Sequence, residues 1–311
     1  MRAAPILILA ALLLGGCAGD DPGNDGRLYV VCTTGQVADL AREVGGEQVR
    51  VEALMGPGID PHLYKASAGD VERLRRADLI LYNGLHLEAK MGEVIEEMGH
   101  RRPTLAVAEL VPEARLLSPD DYEGLHDPHV WFDLELWALT PAPVADELAA
   151  LDPGHADRYR ARARDYASRI DSMHVYARET FATVPPGQRV LITAHDAFNY
   201  LGRAYGLEVR GLQGISTATE AGTGDVQDLA SFIVERRIPA LFVETSVSPR
   251  AIRALEEAVR SRGFEVRVGG EVYSDALGDE GTPQGTYLGM VRHNIDTISA
   301  ALRGEGGHEG R

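Results

Sequence analysis

Two short loops of the sequence carry the same tripeptide, in which a histidine follows an aspartate and a proline. The copies are Asp60-Pro61-His62 and Asp127-Pro128-His129. Proline restricts the backbone of the residue before it and fixes its own φ, so each histidine leaves the chain in a restricted direction. We predict that both histidines are presented to a common ligand. Each aspartate either caps a turn or orients an imidazole.

Two residues in the second half of the chain complete a candidate set of metal ligands. His195 follows the apolar run QRVLITA, and Asp275 follows the run FEVRVGG. Ligands bind open α/β sheets outside the carboxyl ends of the strands, so all four side chains are expected at one edge. Three imidazoles and one carboxylate suit a divalent metal, zinc above all. Because protein atoms fill four positions, this set favours holding a metal over chemistry with it.

The other histidines are weaker candidates. His126 precedes His129 closely and stays open as an alternative ligand or a relay. Proline restricts the geometry at His129 and not at His126, which favours His129. A lone histidine is more often a surface or core residue than a ligand, and no role is assigned to the remaining six: His86, His100, His155, His174, His293 and His308.

Strands and helices alternate in two parts of the chain, residues 28–152 and 186–303, and this alternation predicts βαβ units with mostly parallel sheets. Between them, segment 153–185 has no glycine after Gly154. It predicts one long helix of some thirty residues, which at about 1.5 Å per residue spans roughly 45 Å. We therefore expect an α/β protein of two lobes joined by a long rigid helix, with the metal in the cleft between the lobes.

The N-terminus predicts export and lipid anchoring. Arg2 precedes the apolar run APILILAALLL, which is too short for a mature membrane span but suits a signal peptide over residues 1–17. The sequence LGGC, ending at Cys17, resembles the lipobox of bacterial lipoproteins, in which this cysteine carries lipid. Residues 18–27 read as a polar tether and residues 304–311 as a frayed tail. The expected location is outside the cytoplasm, anchored to the cell membrane.

The cysteines and the net charge further limit the classes of protein to which this chain can belong. Cys32 is the second of two cysteines, so with Cys17 lipidated no intramolecular disulfide is expected, and Cys32 is predicted to be a small buried residue. The formal net charge of -16 argues against nucleic acid as a partner, because phosphate binding needs a basic face. The acidity is compatible with cationic cargo, although solubility is the simpler explanation.

Several stretches together resemble the solute-binding proteins of bacterial zinc and manganese ABC importers, the cluster A-I (cluster 9) group. They are GIDPHLYKAS, ADLILYNGLHLE, DPHVWFD, AHDAFNYLGRAYGL, GISTATEAG, FVETSVSPRAIRALEEA, YSDALG and TYLGMVRHNIDTI. The resemblance implies two α/β lobes on one rigid helix, and a metal held by the four residues named above. It also implies a receptor that is not an enzyme, that acts as a monomer, and that delivers Zn²⁺ or Mn²⁺ to a permease and its ATPase.

Two departures from the family pattern bear on the metal. Residues 111–124 lack the histidines that zinc-specific members often carry in a long loop, whereas His195 stands where many manganese members have glutamate. Nitrogen-rich ligation and the Irving–Williams order favour zinc. Two rival functions stay open: a zinc-dependent hydrolase with Glu244 or Asp196 as general base, and an adhesin-like surface protein. No His-Glu-x-x-His pattern supports the hydrolase.

Overall fold

The structure, a computed structural model, describes residues 26–119 and 124–305. The signal peptide, Cys17, most of the tether and the end of the tail lie outside the described residues. In the part that is described, no helix combines the length and the apolar character needed to cross a membrane.

The first lobe is built on a four-stranded parallel sheet of order β2-β1-β3-β4. Its strands are β1 (Leu28–Cys32), β2 (Val49–Ala53), β3 (Leu79–Tyr82) and β4 (Thr104–Ala106). Its helices are α1 (Gly35–Gly45), α2 (Ala68–Arg76), α3 (Gly92–Gly99), α4 (Leu134–Trp137) and α5 (Pro141–Leu151). Cys32 is fully buried at the end of β1, as expected of a small core residue.

The connecting helix α6 runs over Ala156–Ala182, somewhat shorter than the predicted segment because Pro153–His155 forms a separate 3₁₀ turn. Its buried face includes Tyr159, Tyr166 and Phe181. These side chains belong to one continuous apolar core that also takes in residues of α1 and of the last helix. Helix α6 is therefore packed against both lobes along its length, which limits bending between them.

The second lobe repeats the alternation. Its strands are β5 (Val190–His195), β6 (Glu208–Gln213), β7 (Ala240–Glu244) and β8 (Arg267–Val272). Its helices are α7 (Asn199–Tyr205), α8 (Thr223–Arg236), α9 (Arg250–Arg260) and α10 (Tyr287–Leu302). The strands form two parallel pairs, β5 with β6 and β7 with β8. Strands β5 and β7 lie side by side without a backbone ladder.

Candidate metal centre

Four side chains converge at the junction of the two lobes. One donor atom from each of His62, His129, His195 and Asp275 can be chosen so that all four atoms lie within 4.8 Å of one another. All four residues are buried, with exposed fractions of 2% or less. The site is thus closed from solvent, and its polar atoms face one another.

The parallel topology explains this convergence. His62 lies in the loop that leaves β2, and His129 lies in the loop that leads into a buried 3₁₀ turn, Val130–Phe132. His195 is the last residue of β5, and Asp275 follows the end of β8. Each lobe therefore contributes two side chains from the carboxyl-end side of its strands, where α/β proteins bind ligands.

His129 is oriented by the aspartate of its own tripeptide. Oδ1 of Asp127 accepts a hydrogen bond from the His129 backbone N–H at 3.0 Å and lies 2.7 Å from His129 Nδ1. The Asn83 side chain donates to the carbonyl oxygen of Pro128 at 3.0 Å and holds the loop from the sheet side. With Nδ1 engaged, Nε2 is the ring nitrogen that faces the centre.

His195 has a carboxylate partner of its own from the neighbouring strand. Oε1 of Glu244 accepts a hydrogen bond from the His195 backbone N–H at 2.9 Å, and Oε2 lies 2.6 Å from His195 Nδ1. Glu244 is the last residue of β7, so it reaches the end of β5 where the two strands lie side by side. The carboxylate thus approaches Nδ1 as Asp127 does at His129, but the 2.6 Å contact lacks hydrogen-bond geometry, and the hydrogen bond between the two residues is the one from the backbone N–H to Oε1.

Asp60 does something different from Asp127. Its Oδ1 accepts a hydrogen bond from the His62 backbone N–H at 2.9 Å, so the carboxylate caps the turn. Its Oδ2 accepts a hydrogen bond from the hydroxyl of Thr217, in the second lobe, at 2.6 Å. The two tripeptides therefore share the backbone turn, while only the second pairs its aspartate with its own imidazole.

Asp275 presents both carboxylate oxygens to the site. Oδ1 lies 3.4 Å from His129 Nε2, and Oδ2 lies 3.3 Å from His195 Nε2. Donor atoms about 2.0–2.1 Å from a tetrahedral zinc ion are separated by roughly 3.4 Å, close to both distances. The backbone before Asp275 is held across the lobes, because Trp131 Nε1 donates to the carbonyl oxygen of Ser274 at 3.2 Å.

Buried atoms without hydrogen-bond partners test whether this residue set fits a divalent cation. Among the described residues, no hydrogen-bond partner is found for Nε2 of His62, His129 and His195 or for either carboxylate oxygen of Asp275. Leaving such atoms unsatisfied in a protein interior costs free energy, which a coordinated metal removes. The donor set of three imidazoles and one carboxylate matches a zinc site, so the residues fit the ion.

Burial and neighbouring charges shift the pKa values of His62 and His129 in opposite directions. Burial lowers the pKa of His62 to about 3, so this imidazole is neutral at neutral pH. Burial also acts to lower the pKa of His129, but Asp127 and Asp275 outweigh burial and raise that pKa to about 9.

The two residues from the second lobe are coupled to each other. Burial opposes the charged form of His195, but Glu244 and Asp275 outweigh burial and raise the pKa of His195 well above its usual range. Burial likewise acts to raise the pKa of Asp275, yet the facing charges of His195 and His129 hold it well below its usual range. Asp275 is therefore a carboxylate at neutral pH.

His126 lies apart from this cluster. Its Nδ1 is 2.8 Å from the hydroxyl of Ser118, and its Nε2 is 3.8 Å from Glu113. The group of facing donor atoms does not include it. The structure therefore favours His129 over His126 as the donor from this loop.

Three residues near the site were not recognised from sequence as partners of these side chains: Glu244, Thr217 and Asn199. The sequence suggests Glu244 only as the base of a hydrolase, yet its carboxylate accepts a hydrogen bond from the backbone N–H of His195. In the sequence, an acidic residue that ends the apolar run ALFVE was a usable signal that Glu244 lies at the carboxyl end of a buried strand. Asn199 donates to Asp127 Oδ2 at 3.2 Å, and nothing local in the sequence indicates this contact or that of Thr217.

The fold and the site define a two-lobed α/β protein with a buried cluster of potential metal ligands at the lobe junction. Comparison with known proteins agrees with this description. Residues 30–301 match the model of the family described as "ZnuA: Zinc-uptake complex component A periplasmic". The chain is 50% identical over 282 residues to zinc-binding protein TroA of Treponema pallidum, covering 91% of each chain. It is 45% identical over 299 residues to manganese-binding lipoprotein MntA of Bacillus subtilis, covering 96% of this chain and 97% of that one.

The solved structure of periplasmic zinc-binding TroA from Treponema pallidum superposes with a TM-score of 0.87 at 50% identity, covering 89% of this chain and 99% of that one. The chain belongs to the family of metal-binding solute-binding proteins of ABC importers. Members of this family are receptors that lie outside the cytoplasm and work with a permease and its ATPase, and they are not enzymes. The hydrolase alternative is therefore excluded.

Proposed function

We propose that this protein captures Zn²⁺ outside the cytoplasm and delivers it to the permease of an ABC importer. The observation that carries the proposal is the cluster of His62, His129, His195 and Asp275, whose buried donor atoms face one another. In this proposal the metal is cargo, and the four side chains are its ligands. Cys17 anchors the receptor to the membrane through lipid.

The donor set supports zinc as the tighter ligand. Three imidazole nitrogens suit zinc, and divalent zinc stands well above manganese in the Irving–Williams order. Asp127 is hydrogen-bonded to Nδ1 of His129, and the Glu244 carboxylate lies 2.6 Å from Nδ1 of His195; a carboxylate in this position raises the basicity of a metal-bound imidazole.

Mn²⁺ is the alternative cargo, and one observation favours it. Each oxygen of Asp275 faces a different histidine, so the carboxylate is placed to chelate with both oxygens. Chelation raises the coordination number above four, which manganese prefers more than zinc does. Relatives with either metal in their names, zinc-binding TroA and manganese-binding MntA, are both close to this chain.

Competition titrations of the metal-free protein with zinc and with manganese test the proposal. We expect one tight site per chain and a dissociation constant for zinc at least about tenfold below that for manganese. If manganese binds more tightly than zinc, the proposed cargo becomes Mn²⁺. Binding of neither metal would remove the proposed function.

A further inference from the structure

The two tripeptide loops of the first lobe are attached to the second lobe very differently. The loop that carries His129 has several ties to α7. Tyr200 donates its hydroxyl hydrogen to the Asp127 carbonyl oxygen at 3.0 Å, and Asn199 donates to the Asp127 carboxylate at 3.2 Å. The ring of Phe132 also packs at a tilt against that of Phe198, the residue before α7, with centroids 4.5 Å apart.

The loop that carries His62, residues 56–64, has a single hydrogen bond to the second lobe among the described residues. The hydroxyl of Thr217 donates to Asp60 Oδ2 at 2.6 Å. Apolar side chains of this loop stand in solvent on both sides of the buried histidine, with Ile59 exposed by 38% and Leu63 by 49%. Exposed segments with few contacts open at a lower free-energy cost than packed ones.

The Asp60 carboxylate links the hydrogen bond from Thr217 to His62, the candidate metal ligand of this loop. Oδ1 holds the backbone N–H of His62 while Oδ2 accepts from Thr217, so one planar group connects the histidine to the opposite lobe. Thr217 is itself 7% exposed, which shields the bond from water. A hydrogen bond to a charged acceptor in such a place is among the stronger ones.

We propose that the hydrogen bond from Thr217 to Asp60 is a latch that keeps His62 against the metal, and that the metal leaves on the His62 side. The inference rests on the proposed metal-binding function. Thr217 is in this view a positioning residue: it acts on the ion through Asp60 and His62. Breaking the latch frees residues 56–64 while the His129 loop stays docked on α7.

The test measures the rate at which zinc passes from the protein to an excess of chelator. Thr217→Val keeps the shape of the side chain and removes the hydroxyl, and we expect release to be about tenfold faster, as for loss of a hydrogen bond to a charged group. Thr217→Ser restores the hydroxyl and is expected to release zinc at nearly the parent rate. Thr219→Val, at an exposed threonine in the same loop, is the matched control and is expected to leave the rate unchanged.

Amide hydrogen exchange of the zinc-loaded proteins locates the opening. In Thr217→Val, amides of residues 56–64 are expected to exchange faster, and those of residues 124–132 at the parent rate. Release from the valine variant at the parent rate overturns the latch, as does equally fast release from the serine variant or faster exchange in both loops. A parent that binds neither zinc nor manganese overturns the proposed function, and the latch with it.

Discussion

Asp127 holds His129 at two points with a single oxygen: Oδ1 takes the backbone N–H at 3.0 Å and lies 2.7 Å from Nδ1 of the ring. This contact selects the ring nitrogen that faces the site. It also makes the imidazole more basic, because the carboxylate stabilises positive charge on the ring. The first tripeptide lacks this contact, since Asp60 uses its second oxygen on Thr217.

Replacing Asp127 by asparagine tests the contact. Asp127→Asn keeps the size of the side chain but removes the charge facing Nδ1, and we expect zinc affinity to fall by about 10- to 100-fold. Isothermal titration calorimetry with a competing chelator measures the change. Asp165→Asn, on the solvent face of α6, is the matched control. Unchanged affinity in Asp127→Asn would show that the pairing does not tune the site.

Loss of one of the four donor side chains is expected to weaken binding strongly. His195→Ala removes the imidazole that lies 3.3 Å from Asp275 Oδ2, and we expect zinc affinity to fall by at least about tenfold. The exposed His100 supplies the control variant His100→Ala. If both variants bind zinc as the parent does, His195 is not a ligand.

Metal binding is expected to release protons. Below its pKa of about 9, His129 carries a proton that zinc must displace, and the raised pKa of His195 acts in the same direction. His62, whose pKa is lowered to about 3, contributes nothing above pH 6. Zinc affinity should therefore rise with pH from 6 to 9, with at least about one proton released per ion at pH 7. Calorimetry in two buffers of different ionisation enthalpy counts the protons, and a heat independent of buffer would contradict the expectation.

Asp39 is a buried carboxyl group away from the site, and it makes stability depend on pH. Burial raises its pKa to about 6, against the lowering effect of a hydrogen bond from Tyr166 at 3.0 Å. A raised folded-state pKa means that the folded protein binds the proton more tightly than the unfolded chain. The stability associated with Asp39 is therefore present below about pH 4 and is lost as pH rises towards 6.

Asp39→Asn is expected to remove this pH dependence. The free energy of unfolding should rise by on the order of 2–3 kcal/mol at pH 7.5, and by less at pH 4.5. Urea unfolding at the two pH values measures both gains. If the free energy of unfolding changes equally at both pH values, the effect arises from packing and not from the charge of Asp39.

Much of the framework was predictable because its signals are local. The run PAPVADELAAL predicts a helix, and α5 occupies Pro141–Leu151. The apolar run QRVLITA ends one residue before β5 does, so His195, expected just past a strand, is the last residue of β5. Parallel strands share one carboxyl edge, which is why residues far apart in sequence were expected together.

The contacts that orient the site were not predictable from local signals. Glu244 meets His195 because β7 lies beside β5, and Thr217 meets Asp60 across the lobes. Such pairs depend on tertiary packing, which leaves no periodic trace in the chain. The short helix α4 was also missed, because four residues are too few to show a helical repeat of apolar positions. Asp133 caps its first turn.

X-ray absorption at the zinc edge, on protein loaded with one equivalent of zinc, tests the central claim most directly. The account predicts three imidazole nitrogens at about 2.0–2.1 Å and carboxylate oxygen as the remaining ligand. It also predicts that the spectrum changes in His195→Ala and stays the same in His100→Ala. A zinc shell with fewer than three imidazoles, or one dominated by water, would contradict the account.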